Sequence, residues 1–239
     1  MEKGSRIHFV GVAGIGMSGL ASVLASQGVH VSGSDLRTNR ETDVLQSRGA
    51  RIHCGHRADH VAPDLDALIV SSAIPSDHEE VLAAKRYHIP VVPRLNAVAQ
   101  ILRKHRSVGV AGTHGKTTTT AMIATILKHR GQKPSYLIGA DCPALGGNAC
   151  LDSGEWFVAE IDESDGLLVN VRPEIAVLTN IGKDHLHTYS GIEDIEQTFS
   201  QYLRKSSQQV LCINDGRVAH LAQAFPAAIT VGVDVDADL

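Results

Sequence analysis

Short apolar runs alternate with segments of helical periodicity along residues 6–102. Residues 6–11 and 29–33 are apolar runs typical of buried strands, and residues 18–27 between them place their apolar side chains on one helix face. This alternation predicts an α/β domain with a doubly wound, mostly parallel sheet. Further strands are predicted at 50–54, 66–71 and 89–93, and further helices at 39–47, 77–86 and 95–102.

The same alternation returns after a basic connector at residues 103–106, where we place a domain boundary. We therefore predict a fold of two doubly wound, mostly parallel-sheet domains, with a Rossmann-like domain at 1–105 and a second domain at 106–239. Strands of the second domain are predicted at 108–111, 134–138, 156–160, 175–180, 209–213 and 229–233, helices at 192–203 and 218–224, and loops at 139–154 and 182–188.

A glycine motif of the form G-x-G-x-x-G lies between the first predicted strand and helix. It consists of Gly14, Gly16 and Gly19, and Asp35 follows the second strand near the expected offset. A strand, glycine turn and helix of this kind predict a phosphate or diphosphate site at the helix start, with Asp35 on a ribose. The alternative is that the glycines only permit tight packing of the helix on the sheet.

A pair of serines, Ser71 and Ser72, ends the strand predicted at 66–71. Hydroxyl groups at the carboxyl end of a parallel strand lie where α/β sheets bind ligands. The same serines could instead cap the helix predicted at 77–86. The sequence leaves both interpretations open.

A second glycine turn, at residues 112–115, follows the apolar run 108–111 and leads into a helical pattern. Strand, glycine loop and helix with Lys-Thr at its start predict a phosphate loop (P-loop) for a nucleotide triphosphate, in which Lys116 reaches the outer phosphates and the Thr117 hydroxyl binds magnesium. The general pattern expects glycine at position 110, where this chain has Val110, so the loop is a variant. The residues predicted to bind the triphosphate here are Gly112, Thr113, His114, Gly115, Lys116, Thr117 and Thr118.

Polar residues also end two later strands of the second domain. Glu160 ends the strand at 156–160, and Asn180 and the pair Asp184-His185 follow the strand at 175–180. Because the carboxyl ends of parallel strands meet at one edge, we expect these groups near the phosphate loop, where carboxylate and imidazole could complete a magnesium shell. The alternative is a solvated acidic turn, which applies most to Asp162, Glu163 and Asp165.

Composition and charge narrow the class of protein. The chain has 239 residues, 43% of them hydrophobic and only 4% aromatic, so an aliphatic core typical of α/β proteins is expected. The net charge of −4 argues against a nucleic-acid scaffold. No apolar run is long enough to predict a membrane span, and the charged residues at the start are not expected to form a signal peptide. Four widely spaced cysteines suit a reducing cytoplasm, and the oligomeric state is not predicted.

Six strings, in their order along the chain, together resemble the Mur ligases of peptidoglycan precursor synthesis. The resemblance spans about residues 7–214 and explains Val110, because the loop of this family has the form G-T-x-G-K-T. The strings are HFVGVAGIGMSG at 8–19, SGSD at 32–35, SSAIP at 71–75, GTHGKT at 112–117, EIDESDG at 160–166 and TNI with DH at 179–185.

The resemblance implies ATP-dependent joining of L-alanine to UDP-N-acetylmuramate through an acyl phosphate, with ATP and Mg²⁺ bound by the second domain. It makes Lys116, Glu160 and His185 the catalytic residues, and Thr117, Glu160 and His185 the metal ligands. Asn180 would lie close to the nucleotide. The residues implied for the UDP part of the substrate are Gly14, Ile15, Gly16, Met17, Asp35, Ser71 and Ser72.

The chain departs from the family pattern at His187 and Leu167, where an acidic residue and a serine are more common. The family also carries a third domain, so we expect this chain to be a fragment with an incomplete central domain, able to bind UDP-sugar, and ATP only weakly, without completing ligation. Three alternatives stay open: a non-catalytic UDP-sugar-binding module, a related ligase that adds a peptide, and an NAD-dependent oxidoreductase.

Overall fold

The framework of the chain is two sheets, each built of parallel strands and flanked by helices. The computed structural model describes residues 1–184 and 188–239, which divide into two units. Unit 1 comprises residues 1–97 and 139–151, and unit 2 comprises residues 98–138 and 152–239. The α/β fold class is confirmed, while the domain boundary at residue 105 stays a prediction.

The sheet of unit 1 has five parallel strands in the order β3-β2-β1-β4-β5. The strand order reverses between β1 and β4, and such a switch point is where open α/β sheets bind ligands. In chain order the elements are β1 (Arg6–Val10), α1 (Ile15–Ser26), β2 (His30–Asp35), α2 (Arg40–Ser47), β3 (Arg51–Cys54), a 3₁₀ turn (Ala58–His60), β4 (Ala67–Val70), α3 (Glu79–Arg86) and β5 (Val91–Pro93).

The helix α4 (Arg94–Leu102) follows β5, and the division between the two units falls within it. The strands of unit 2 then pair in the order β12-β11-β10-β6-β9-β7, with β6 at the centre between β10 and β9. The elements are β6 (Arg106–Ala111), α5 (Lys116–His129), β7 (Ser135–Leu137), β9 (Trp156–Glu160), a 3₁₀ turn (Leu167–Asn170), β10 (Ile175–Leu178), α6 (Ile192–Arg204), β11 (Gln208–Cys212), α7 (Gly216–Ala222) and β12 (Ile229–Val231).

The glycine-rich segment 139–151 belongs to unit 1 although it lies between strands of unit 2 along the chain. The Asn148 side chain donates a hydrogen bond of 2.7 Å to the carbonyl of Ile15, at the start of α1. The segment also contains a two-residue strand, β8 (Ala149–Cys150). The sequence prediction of a loop over 139–154 is therefore correct except for this strand.

A buried polar network ties strands β1 and β2, the segment after β3 and helix α3 of unit 1 together. Glu80, in the first turn of α3, is fully buried and accepts hydrogen bonds from Ser34 (2.7 Å), from His8 Nε2 (3.1 Å) and from the backbone N–H of Arg57 (3.0 Å). The Nδ1 atom of His56 lies 3.2 Å from the same carboxylate. Burial alone would raise the pKa of Glu80, but these hydrogen bonds and the charge of His8 outweigh it and lower the pKa to about 2.

In unit 2 the central strand β6 packs closely against α6. The buried Tyr202 hydroxyl donates a 2.8 Å hydrogen bond to the carbonyl of Gly109. A Cβ atom at position 109 would lie only 2.4 Å from that hydroxyl, so the packing requires glycine there. This contact fixes the strand that leads into the glycine turn at 112–115.

Candidate functional site

The glycine turn between β6 and α5 has a backbone that only glycine adopts readily. Gly112 has a φ of +133° and Gly115 a φ of +79°. A Cβ atom on Gly112 would lie 2.1 Å from Thr179 Oγ1. Val110, by contrast, is buried inside β6 and pairs in register with Val177. The turn therefore starts at Gly112, and the glycine expected at position 110 has no role in it.

The Lys116 side chain folds back across this turn. Its Nζ atom lies 2.6 Å from the carbonyl oxygen of Gly112 and 3.2 Å from that of Thr113. It also lies 3.1 Å from Oε1 and 3.0 Å from Oε2 of Glu163. The ammonium group that the sequence assigns to the outer phosphates is thus held inside the loop by two carbonyls and a carboxylate.

Glu163 is a residue that the sequence reading missed. It is only 2% exposed, so its interpretation as part of a solvated acidic turn is wrong. Burial raises the pKa of Glu163, and the charge and hydrogen bond of Lys116 oppose that rise only in part. Asp162 and Asp165 are partly exposed and accept hydrogen bonds from the backbone N–H groups of Ser164 and Leu167. The EIDESDG string carries no periodicity from which the burial of its fourth residue could be predicted.

Asn180 lies against the phosphate loop as the strand-end argument expects. Its Oδ1 accepts a hydrogen bond of 2.9 Å from the N–H of His114, and its Nδ2 donates one of 2.8 Å to the His114 carbonyl. Its own carbonyl accepts a hydrogen bond of 3.1 Å from the N–H of Thr113. The Thr179 hydroxyl also donates to the His114 carbonyl, at 2.7 Å. Asn180 therefore shapes the loop, and its contact with a nucleotide stays a prediction.

The oxygen donors assigned to magnesium lie at the end of β9 and at the start of α5. Glu160 is the last residue of β9 and pairs in register with Val110, two residues before Gly112. Thr117 lies in the first turn of α5, and both side chains are partly exposed. Hydroxyl and carboxylate oxygens are a donor set that suits Mg²⁺. Among residues 1–184 and 188–239 no three His, Cys, Asp or Glu side chains are grouped for a metal, and His185 lies outside the described residues.

The glycine loop of unit 1 lies at the switch point of its sheet. Asp35 Oδ2 accepts a hydrogen bond of 2.9 Å from the N–H of Ala13, and the Asn39 side chain donates to the Ala13 carbonyl at 2.9 Å. The first residue before α1 is Gly14, which provides no side-chain cap. An uncapped helix start offers backbone N–H groups to an anion. Asp35 therefore holds the loop in place, and its contact with a ribose stays a prediction.

Arg94 is a second residue that the sequence reading did not include. The guanidinium lies over the glycine loop, because a Cβ atom on Gly16 would be 3.0 Å from Arg94 Nη1. A side chain at position 16 would push this guanidinium away from the loop, so Gly16 allows the arginine at the start of α4 to lie close to the backbone. A positive group beside a helix N-terminus suits a diphosphate. No local pattern relates residues 16 and 94, so the sequence gives no signal for this contact.

Ser71 lies beside the same loop. A Cβ atom on Gly11 would lie 3.3 Å from Ser71 Cβ, and the N–H of Ser71 donates to the Val10 carbonyl. The alternative role of Ser71 and Ser72 as a cap for the helix at 77–86 is wrong. The helix begins at Glu79, and its first turn is capped by His78, whose Nδ1 accepts from the N–H of Glu80.

An apolar groove of about 610 Å³ runs from the phosphate loop along unit 2. Its walls are α5 on one side and strands β6, β10, β11 and β12 on the other. His114, Gly115 and Asn180 line it at the loop end, and Trp156, Ile175 and Val210 are among the apolar residues farther along it. In size it falls within the range of small-molecule sites.

A strand, a glycine turn with positive φ at Gly112 and Gly115, and a helix that begins with Lys-Thr give unit 2 the architecture of a phosphate-loop domain. Comparison with known proteins gives the family. Residues 6–106 match the Mur ligase family, catalytic domain, and residues 110–238 match the Mur ligase middle domain. The chain belongs to the Mur ligase family.

Individual relatives agree with this assignment. UDP-N-acetylmuramate–L-alanine ligase of Pelobacter propionicus is 46% identical over 242 residues, which cover 99% of this chain and 52% of the relative. The ligase of the same name from Syntrophus aciditrophicus is 44% identical and is covered to 50%. The chain thus spans about half the length of these curated relatives.

Solved structures show the same framework. The UDP-N-acetylmuramate-alanine ligase of Thermotoga maritima superposes with a TM-score of 0.87 at 33% identity, over 96% of this chain and 53% of that one. UDP-N-acetylmuramate:L-alanyl-gamma-D-glutamyl-meso-diaminopimelate ligase from Neisseria meningitides also gives 0.87, at 26% identity, over 96% and 78%. Within the described ranges no helix is long and apolar enough to cross a membrane.

Proposed function

We propose that this chain binds ATP through unit 2 and UDP-N-acetylmuramate through unit 1, as part of the ATP-dependent joining of L-alanine to that UDP-sugar. The observation that carries the proposal is the position of Lys116, whose ammonium lies across a glycine turn that only glycine can form at residue 112. Relatives named for this reaction, at 43–47% identity across nearly the whole chain, support it.

In unit 2, Lys116 binds the β- and γ-phosphate oxygens, and backbone N–H groups of the 112–115 turn bind the same phosphates. Asn180 keeps the turn in shape through its two hydrogen bonds to His114. Thr117 and Glu160 are the side chains that would hold Mg²⁺, together with His185 from outside the described residues. Bound magnesium would neutralise charge on the transferred phosphoryl group.

In unit 1, the start of α1 binds the diphosphate of the UDP-sugar through its backbone N–H groups. Asp35 fixes the loop by accepting from Ala13, and Arg94 adds positive charge over Gly16. Ser71 flanks the loop at the end of β4. In the reaction, the γ-phosphoryl group passes to the lactyl carboxylate, and the amino group of L-alanine then displaces phosphate to form the amide. ATP and UDP-sugars are cytoplasmic metabolites, in keeping with the cytoplasmic location expected from the sequence.

The test is isothermal titration of the chain with ATP and Mg²⁺, comparing the parent protein with Lys116→Met. A matched control is Lys128→Met, which removes an exposed lysine from the opposite end of the same helix. We expect Lys116→Met to weaken ATP binding at least about 30-fold, by loss of a charge-assisted hydrogen bond. Equal ATP affinity in the two variants would overturn the assignment of the phosphate loop.

A second candidate is a ligase that adds a peptide in place of L-alanine. It is favoured by the 0.87 TM-score with the Neisseria ligase, whose name describes a tripeptide-adding reaction. Binding of UDP-N-acetylmuramate alone does not separate the two candidates. Saturation-transfer NMR of L-alanine and of L-alanyl-γ-D-glutamyl-diaminopimelate, in the presence of the chain, ATP analogue and UDP-sugar, shows which acceptor is bound.

Measuring which ligands the chain binds distinguishes the two remaining alternatives, the UDP-sugar-binding module and the oxidoreductase. A UDP-sugar-binding module without nucleotide chemistry would bind UDP-N-acetylmuramate and no ATP. An oxidoreductase would quench or shift NADH fluorescence, and it would leave the phosphate loop of unit 2 without a ligand. The match of residues 110–238 to the Mur ligase middle domain disfavours the oxidoreductase.

A further inference from the structure

The ammonium group of Lys116 is already saturated in this structure. A protonated lysine has three N–H donors. Nζ has three acceptor groups within 3.2 Å: the carbonyl of Gly112, the carbonyl of Thr113 and the carboxylate of Glu163. The lysine side chain is 13% exposed and the glutamate side chain 3% exposed. A triphosphate that binds Lys116 must therefore replace one of these acceptors.

Glu163 is the acceptor that a phosphate can replace. The two carbonyls belong to the glycine turn itself, whereas the carboxylate comes from the segment after β9. The negative charge of Glu163 also distinguishes it from the two carbonyls, because a phosphate oxygen and a carboxylate oxygen compete for the same cation. Exchange of one anion for another at Nζ leaves the lysine paired in both states.

The Glu163 backbone is held firmly, so the carboxylate stays near the loop when Lys116 changes partner. Its carbonyl accepts hydrogen bonds from the Tyr189 hydroxyl at 2.5 Å and from the N–H of Gly166 at 3.1 Å. The next carbonyl, of Ser164, accepts from the Thr188 hydroxyl at 2.6 Å. Loss of its ion pair with Lys116 weakens the charge compensation of this buried carboxylate, which raises the free energy of the nucleotide complex.

We propose that Glu163 is a positioning residue, which holds Lys116 inside the phosphate loop and is replaced by phosphate oxygens when a nucleotide triphosphate binds. The inference rests on the proposed ATP site in unit 2. Its consequence is that Glu163 opposes binding of ATP in the absence of a divalent cation. A residue with a merely structural role would affect stability and leave that affinity unchanged.

The experiment is calorimetric titration of the chain with ATP in EDTA, comparing the parent with Glu163→Gln. Glutamine keeps the shape of the side chain and removes its charge. The control is Glu155→Gln, which removes an exposed carboxylate just before the amino end of β9, the strand whose carboxyl end leads to Glu163. We expect Glu163→Gln to bind ATP about 10-fold more tightly than the parent, and the control to match the parent.

A second variant, Glu163→Asp, withdraws the carboxylate from Nζ by one methylene. It should give an ATP affinity between those of the parent and Glu163→Gln, and it keeps the test valid if the glutamine variant does not fold. Equal or weaker ATP binding by both variants overturns the inference and leaves the ATP site intact. Failure of the parent itself to bind ATP, with or without Mg²⁺, overturns the proposed function and this inference together.

Discussion

Replacing Glu80 by glutamine removes the charge at the centre of the buried network of unit 1. The pKa of this carboxyl group falls from 4.5 to about 2 on folding. This depression of the pKa corresponds to roughly 3 kcal/mol of stability, at about 1.4 kcal/mol for each tenfold change in the ionisation constant. Because Glu80 is fully buried, solvent screening does not reduce this figure greatly. We therefore expect Glu80→Gln to lower the free energy of unfolding by about 3 kcal/mol at pH 7.

The dependence on pH follows from the direction of the shift. A depressed folded-state pKa stabilises the protein above the unfolded pKa of 4.5, and that stabilisation is lost as the pH falls through about 2. The difference between the parent and Glu80→Gln should therefore shrink from about 3 kcal/mol at pH 7 to roughly 1 kcal/mol at pH 3. The control is Glu79→Gln, one residue earlier on α3, where the side chain is exposed.

The assay is urea unfolding followed by circular dichroism, for the parent and both variants at pH 7 and pH 3. At pH 7 we expect Glu79→Gln to cost less than about 1 kcal/mol, even though its carboxylate accepts from the N–H of Ala58. Equal losses in the two variants at pH 7 would refute the reasoning. So would a Glu80→Gln deficit that stays constant between pH 7 and pH 3, because the charge would then not be its cause.

Three further predictions concern unit 2. Gly112→Ala should abolish ATP binding in calorimetry, because its Cβ would lie 2.1 Å from Thr179 Oγ1; retained binding would contradict the loop geometry. Asn180→Ala removes both side-chain hydrogen bonds to His114 and should weaken ATP binding about 10-fold or more, with parental affinity as the contrary result. Tyr202→Phe removes a buried hydrogen bond and should lower the free energy of unfolding by about 1 kcal/mol in urea, leaving ATP affinity unchanged.

The sequence predicts the elements well where hydrophobic periodicity decides them. The strand predicted at 156–160 has the observed bounds, because its apolar run stops at Glu160, which is the carboxyl end of the strand. The helix predicted at 39–47 starts one residue later, at Arg40, because Asn39 is the cap that accepts from Thr42. Because Asn180 follows a parallel strand, the sequence also predicts that it lies beside the phosphate loop. Its hydrogen bonds to His114 confirm that position.

Contacts between residues far apart in the chain could not be predicted in this way. The burial of Glu163 depends on Lys116, 47 residues away, and the position of Arg94 over Gly16 depends on how α4 leaves the sheet. Neither contact is indicated by a periodic or local pattern in the amino-acid sequence. The sequence does not decide between the two roles of Ser71, because its pattern predicts a helix that starts at residue 77, whereas His78 caps a helix that begins at Glu79.

The most direct measurement for the central claim is equilibrium dialysis of the chain with labelled ATP and labelled UDP-N-acetylmuramate, separately and together. With Mg²⁺ present, we expect one molecule of each ligand per chain, bound at the same time. Lys116→Met should lose the ATP and keep the UDP-sugar. Competition between the two ligands for a single site, or loss of UDP-sugar binding in Lys116→Met, would contradict the assignment of ATP to unit 2 and of the UDP-sugar to unit 1.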